Sequence, residues 1–188
     1  MKLSRIAGLL AGAGILACAQ MAVAAPGDVT GGIITFDGEI LDSTCNVTTG
    51  TSGNFNVKLP GVSKEDLDAS SKTTGWVSFP IALEDCSKGD VYASFSPTGT
   101  FVDTATGRLK NTVGAGTYAE FVDVQLREDD DTVIKIGQQT TGGNTPKTIT
   151  IATEGDGATL YYKAGYYATG VATKGLVKTQ VTYSVAYN

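Results

Sequence analysis

Apolar and polar residues alternate along this chain in short runs. Phe55-Asn56-Val57-Lys58-Leu59 keeps period two, as does Val77-Ser78-Phe79-Pro80-Ile81-Ala82-Leu83. Val122-Asp123-Val124-Gln125-Leu126 and Ile149-Thr150-Ile151 repeat it, and the tail Val181-Thr182-Tyr183-Ser184-Val185-Ala186-Tyr187-Asn188 carries it furthest. Period two wets one face and buries the other, which predicts half-buried strands. Pro80 has no N–H to give a ladder, so its strand is expected at a sheet edge or bulged there. Clusters such as Thr49-Gly50-Thr51-Ser52-Gly53, Ser87-Lys88-Gly89-Asp90 and Glu154-Gly155-Asp156-Gly157 break the runs with turn formers. Many short strands at this spacing predict an all-β sandwich. Residues 63–71 are expected to make a helical turn or two at most.

The N-terminus follows a different pattern. Lys2 and Arg5 precede an apolar, small-residue run over residues 6–19, and Ala22-Val23-Ala24 offers the small side chains a signal peptidase needs. Residues 1–24 are therefore expected to be a cleaved signal peptide. The run falls short of the ~20 residues that span a bilayer, which disfavours a transmembrane anchor. Cleavage would remove Lys2 and Arg5 but no acid, taking the formal charge from −5 to about −7. An acidic chain with no basic run is a poor partner for a phosphate backbone, so no nucleic-acid binding is expected. Cys18 leaves with the signal. Cys45 and Cys86 remain, and two cysteines in an exported chain read as one disulfide, with two buried free thiols as the other reading.

Candidate chemistry is sparse. The chain has no histidine, which removes a histidine base, a Ser-His triad and histidine metal ligands. It carries no nucleophile elbow or phosphate loop. Glu128-Asp129-Asp130-Asp131 lacks the alternating ligand spacing of a calcium loop and reads as a solvated hairpin tip. Tyr161, Tyr162, Tyr166 and Tyr167 could form a sugar-stacking platform. A strand whose tyrosines face both ways, with ring bodies packed and hydroxyls reaching water, is the favoured reading. Neither a catalytic residue, a cofactor nor a metal is expected.

The two ends of the mature chain are the most informative. In Val29-Thr30-Gly31-Gly32-Ile33-Ile34-Thr35-Phe36, the residues Thr30, Gly32, Ile34 and Phe36 share one strand face. Phe36-x-Gly38-x-Ile40 followed by Cys45 resembles the start of a chaperone–usher pilin of the type 1-like fimbrial major subunit family. Tyr166-Tyr167-Ala168-Thr169-Gly170, then Ala172-Thr173-x-Gly175, resembles the segment before the last strand of those pilins. The penultimate Tyr187, after alternating Val181, Tyr183 and Val185, resembles their C-terminal motif. The similarity runs along the whole mature chain and is thinnest between Cys86 and Tyr161.

The resemblance implies an incomplete immunoglobulin-like β-sandwich with one disulfide, Cys45–Cys86, completed by a donor strand from another molecule. Residues 25–37 would be the N-terminal donor-strand extension and residues 38–188 the pilin domain. Thr30, Gly32, Ile34 and Phe36 would be the donor positions. Val181, Tyr183, Val185, Tyr187 and Asn188 would form the acceptor groove and the chaperone-binding edge. The implied partners are neighbouring pilin subunits in a homopolymer, a periplasmic chaperone and an outer-membrane usher. The implied path is export through the periplasm to a fimbrium on the cell surface, with a structural shaft role supporting adhesion and colonisation. A minor adaptor or tip subunit with sugar-binding adhesin activity is the alternative. Ordinary terminal strands of a complete sandwich would explain the alternation alone.

Overall fold

A computed structural model describes residues 45–112, 118–139 and 145–187. Among these residues ten strands and one short helix follow in order: β1 (Asn46–Val47), a 3-10 helix (Lys64–Leu67), β2 (Thr73–Glu84), β3 (Gly89–Phe95), β4 (Val102–Asp103), β5 (Arg108–Lys110), β6 (Val122–Glu128), β7 (Val133–Ile134), β8 (Ile149–Ile151), β9 (Ala158–Ala168) and β10 (Tyr183–Tyr187). They form two sheets. One runs β1-β2-β9-β6-β5-β4, with β7 also on β6; the other runs β10-β3-β8. Among the described residues every pairing of named strands is antiparallel, and the isolated bridge Tyr118–Leu176 is parallel. The expected runs at 77–83, 122–126 and 149–151 lie in β2, β6 and β8, and the C-terminal run supplies β10.

The main core lies between the sheets and is built from the inward positions of each strand. Phe79, Ile81 and Leu83 come from β2, Val91, Ala93 and Phe95 from β3, and Val124 and Leu126 from β6. A smaller cluster of Leu67, Ala119, Val122, Ala168 and Ala172 seals one end. Aromatic rings run through the main core. Phe55 meets Phe79 at 6.1 Å, Phe79 meets Tyr162 at 5.9 Å, and Tyr162 meets Phe95 edge-on at 5.2 Å.

Pro80 sits where its missing donor costs nothing. Ala82, two residues on, gives its N–H to Thr49 Oγ1 on the β1 side. By strand parity the Pro80 nitrogen points the same way, past the end of β1, where no ladder continues among the described residues. The bulge in β2 lies earlier, between Thr74 and Val77.

The four tyrosines of β9 do not make a platform. Tyr162 is buried between the sheets, and Tyr166 packs on the smaller cluster with its hydroxyl donating to Pro60 O. Tyr161 is exposed on the outer face, where Tyr167 lies under the Arg108 guanidinium. Trp76 is on that outer face as well. Its ring covers Gly165, where a Cβ would fall 2.5 Å from the indole, and Arg127 stacks on it at 3.9 Å.

The acidic tetrad also divides. Asp129, Asp130 and Asp131 are exposed at the β6–β7 tip, but Glu128 is only 5% exposed. It shares the inward face with Val122, Val124 and Leu126, because period two carries through the end of β6. Burial pushes its carboxyl up to about 7, and Asp130 and Asp129 push further; the Lys147 backbone N–H donates to Oε1 at 3.4 Å and opposes them. With its folded pKa above the ordinary value, the native state binds this proton more tightly than the unfolded chain. Stability from this site is therefore greatest below about pH 4.5 and is lost as the pH rises to about 7. Glu128→Gln is expected to stabilise the mature chain by up to about 3 kcal/mol at pH 8 and by almost nothing at pH 4. Denaturant unfolding at the two pH values measures this; equal increments would contradict it.

Candidate functional site

Two extended segments face each other across an opening into the core. The first is residues 53–59. Phe55, Val57 and Leu59 point inward, and Asn56 and Lys58 point to solvent. The expected strand is thus extended and correctly phased, yet over Phe55–Leu59 it belongs to no ladder among the described residues. The second segment is residues 177–187, ending in β10. Val177, Thr179, Val181, Tyr183 and Val185 face inward, with exposed residues between them. On both lips the inward side chains are only half-buried. By contrast, Phe79, Ile81 and Leu83 on β2, Val91, Ala93 and Phe95 on β3, Val124 and Leu126 on β6 and Leu160, Tyr162 and Ala164 on β9 are buried.

Between the lips is a groove of about 840 Å³. Core side chains form its floor, among them Phe79, Ile81, Phe95, Val124 and Leu126. Each lip contributes about seven residues, roughly 20 Å of extended chain at ~3.3 Å per residue. The lips run in opposite directions. Tyr187 Oη lies 3.2 Å from Cys45 Sγ at one end, the Tyr183 hydroxyl donates to Gly53 O at 2.8 Å further along, and Val62 and Val177 meet on the small cluster at the other end. At Gly53 the lips are bridged by a whole tyrosine side chain plus a hydrogen bond. That is wider than the ~4.8 Å spacing of paired strands. Cys45 and Cys86 are joined, which ties the start of the first lip to β2.

Backbone polarity at the second lip follows from register. Thr182 pairs with Ser96, and the Ser96 N–H donates to Thr182 O at 2.8 Å. Even-numbered residues of β10 therefore bond β3, and the amides and carbonyls of Tyr183, Val185 and Tyr187 point to the groove side. Among the described residues β10 has a ladder on one side only. Thr179 Oγ1 is buried at the groove and has no hydrogen-bond partner among the described residues.

The far edge of β3 is handled differently. Past the end of β8, the Phe95 N–H donates to Gln139 Oε1 at 2.6 Å, and Gln139 Nε2 donates to Ala93 O at 3.3 Å. The Ala93 N–H donates to Tyr162 Oη at 3.0 Å. Two buried side chains thus take the place of a strand. Burial holds the Tyr162 phenol well above its ordinary range, so it stays protonated. Sequence reasoning assigned Gln139 no role; one of two adjacent glutamines near a turn carries no periodic signal.

Of the residues expected at a site, Val181, Tyr183 and Val185 line the groove. Tyr187 packs beside the disulfide at its end. Thr30, Gly32, Ile34, Phe36 and Asn188 lie outside the described residues.

The family model FimA, type-1 fimbrial protein A, matches residues 59–188, which hold β2 to β10 and the second lip. The chain belongs to the type-1 fimbrial protein family. Within that family it is 41% identical over 181 residues to the F17 fimbrial protein of Escherichia coli, covering 93% of this chain and 95% of that one. It is 38% identical over 174 residues to the major fimbrial subunit SMF-1 of Stenotrophomonas maltophilia strain K279a, covering 89% of this chain and all of the relative. The fold of this fimbrial protein is similar to that of the P pilus rod subunit PapA, at TM-score 0.54 and 16% identity, over 77% of this chain and 99% of that one. The architecture is the immunoglobulin-like sandwich of chaperone–usher pilins.

Proposed function

We infer that this fimbrial protein is a structural, non-catalytic shaft subunit, polymerised by donor-strand exchange into a surface fimbrium that supports adhesion and colonisation. One observation carries the reading: two half-buried, correctly phased lips, more than one strand spacing apart, flank a groove whose floor is the hydrophobic core itself. An added strand would close the floor, pair the groove-side amides of Tyr183, Val185 and Tyr187, and offer a partner to Thr179. This is the strand-addition mode in which pilin complementation is a standing example. Residues 25–37 are the natural donor. Ile34 and Phe36 supply the large side chains, Thr30 and Gly32 the small ones, all on one face. Residues 1–24 would be removed on export. Before polymerisation a periplasmic chaperone would occupy the same groove, anchored at the carboxylate of Asn188, and an outer-membrane usher would exchange it for the next subunit.

A chain beginning at residue 38 separates the two halves of this reading. It is expected to bind a synthetic peptide of residues 28–38 in its groove and to terminate growing polymers, while forming none alone. Electron microscopy and native gels score both properties. Normal polymers from the truncated chain would refute the donor assignment.

A further inference from the structure

Two loops abut at the Val177 end of the groove. Residues 118–121 cross residues 169–176 so closely that a Cβ on Gly175 would lie 2.2 Å from the Tyr118 carbonyl carbon. The crossing is heavily bonded. The Ala119 N–H donates to Leu176 O, the Thr169 N–H to Phe121 O, and Asn111 Nδ2 to both Ala119 O and Leu176 O. The platform is therefore rigid, yet its apolar side chains face water. Phe121 is 56% exposed, Val171 66% and Leu176 65%, with Tyr118 paired opposite Leu176. Phe121 also holds φ at +59°, a strained backbone for a bulky residue, with its ring against Gly170. Strain and exposed aromatic surface together mark a surface formed for contact.

We propose that the Tyr118–Phe121–Val171–Leu176 platform docks the globular body of the next copy of this chain, head to tail. The proposal rests on the strand-completion reading and adds a second contact to it. A donor strand pairs most stably antiparallel to β10, which puts its Phe36 end beside Val177 and the platform. Nine residue steps separate Phe36 from Cys45, which the disulfide ties to the donating body, a reach of at most about 32 Å. The body of the next copy is thus tethered over the platform and presents its Cys45 pole. That pole is acidic: Glu84, Asp85, Glu154 and Asp156 are exposed around Cys86, with Lys88 among them. The platform is flanked by exposed Lys174 and Lys178, with Glu120 as the opposing charge. Opposite poles of one molecule then complement each other, a heterologous contact that propagates as a filament and does not close.

The test uses polymers of the mature chain and a monomer with residues 28–38 fused behind Asn188. Phe121→Ser with Leu176→Ser is expected to reduce the persistence length of the polymers, measured by electron microscopy, at least about twofold. The same pair should leave the melting temperature of the fused monomer unchanged or raised, since no second body is present there. Lys174→Glu with Lys178→Glu should soften the polymers likewise, and adding Glu154→Lys with Asp156→Lys should restore them. Unchanged stiffness in both sets, with polymers still built by strand exchange, would overturn the docking surface alone. A fused monomer no more stable than the open chain would overturn strand completion and the docking surface with it.

Discussion

Fusing residues 28–38 behind Asn188 through a short flexible linker is expected to raise the melting temperature of the mature chain by roughly 10–20 °C and to abolish its polymerisation. The geometry permits the fusion, because an antiparallel donor starts beside Tyr187, where β10 ends. The size follows from burial. Ile34 and Phe36 each contribute roughly 1.5–3 kcal/mol when buried, and the half-buried side chains of both lips lose further water. About 5 kcal/mol in total, at ~2–4 °C per kcal/mol for a domain of this size, gives the stated range. That gain rivals the net stability of a whole domain, ~5–15 kcal/mol. Completion of the fold and growth of the fibre would then draw on one free-energy change. Scanning calorimetry of open and fused chains measures it, and coincident transitions would remove the proposal.

Loss of the disulfide is the second large effect. Cys45 and Cys86 are 41 residues apart, and closing a loop of that length is worth about 4 kcal/mol on the chain-entropy model. Cys86 is fully buried in the main core, and Cys45 begins the segment that becomes the first lip. Cys45→Ser is expected to lower the melting temperature by roughly 8–16 °C, and reductant should reproduce the loss in the parent chain but not in the variant. Because the first lip has no ladder over Phe55–Leu59 among the described residues, the bond is also its main covalent restraint. Peptide binding to the groove should weaken along with stability. A Cys45→Ser chain that melts with the parent would show that the lip is held by packing alone.

Much of this fold was legible in period two. Alternation placed β2, β6, β8 and β10 and phased both lips correctly, because every such strand has one wet and one dry face. β1, β4 and β7 have only two residues each, too few to show a period, and β5 has a single apolar residue, Leu109, between Arg108 and Lys110. The groove itself was not legible from alternation. Val181 and Phe55 have the same pattern whether a neighbour seals them or not, and only the ends of the chain, read together, pointed to an opening. Glu128 was misplaced with the solvated tip because three aspartates follow it, although the period of β6 turns it inward. Phe121 and Gln139 were invisible for another reason. Their roles depend on which loops cross and which edge ends early, both of which are tertiary facts.

The side-chain cap on β3 bears on the shape of whatever is assembled. With Gln139 and Tyr162 saturating the stretch of β3 beyond β8, that stretch is closed to an added strand, while the groove beside β10 stays open to one. On the reading proposed above, each molecule offers one socket, the groove, and one plug. Units of that valence cannot branch: where the ends do not close into a ring, mass added to a thread becomes length without cross-linking it into a mesh.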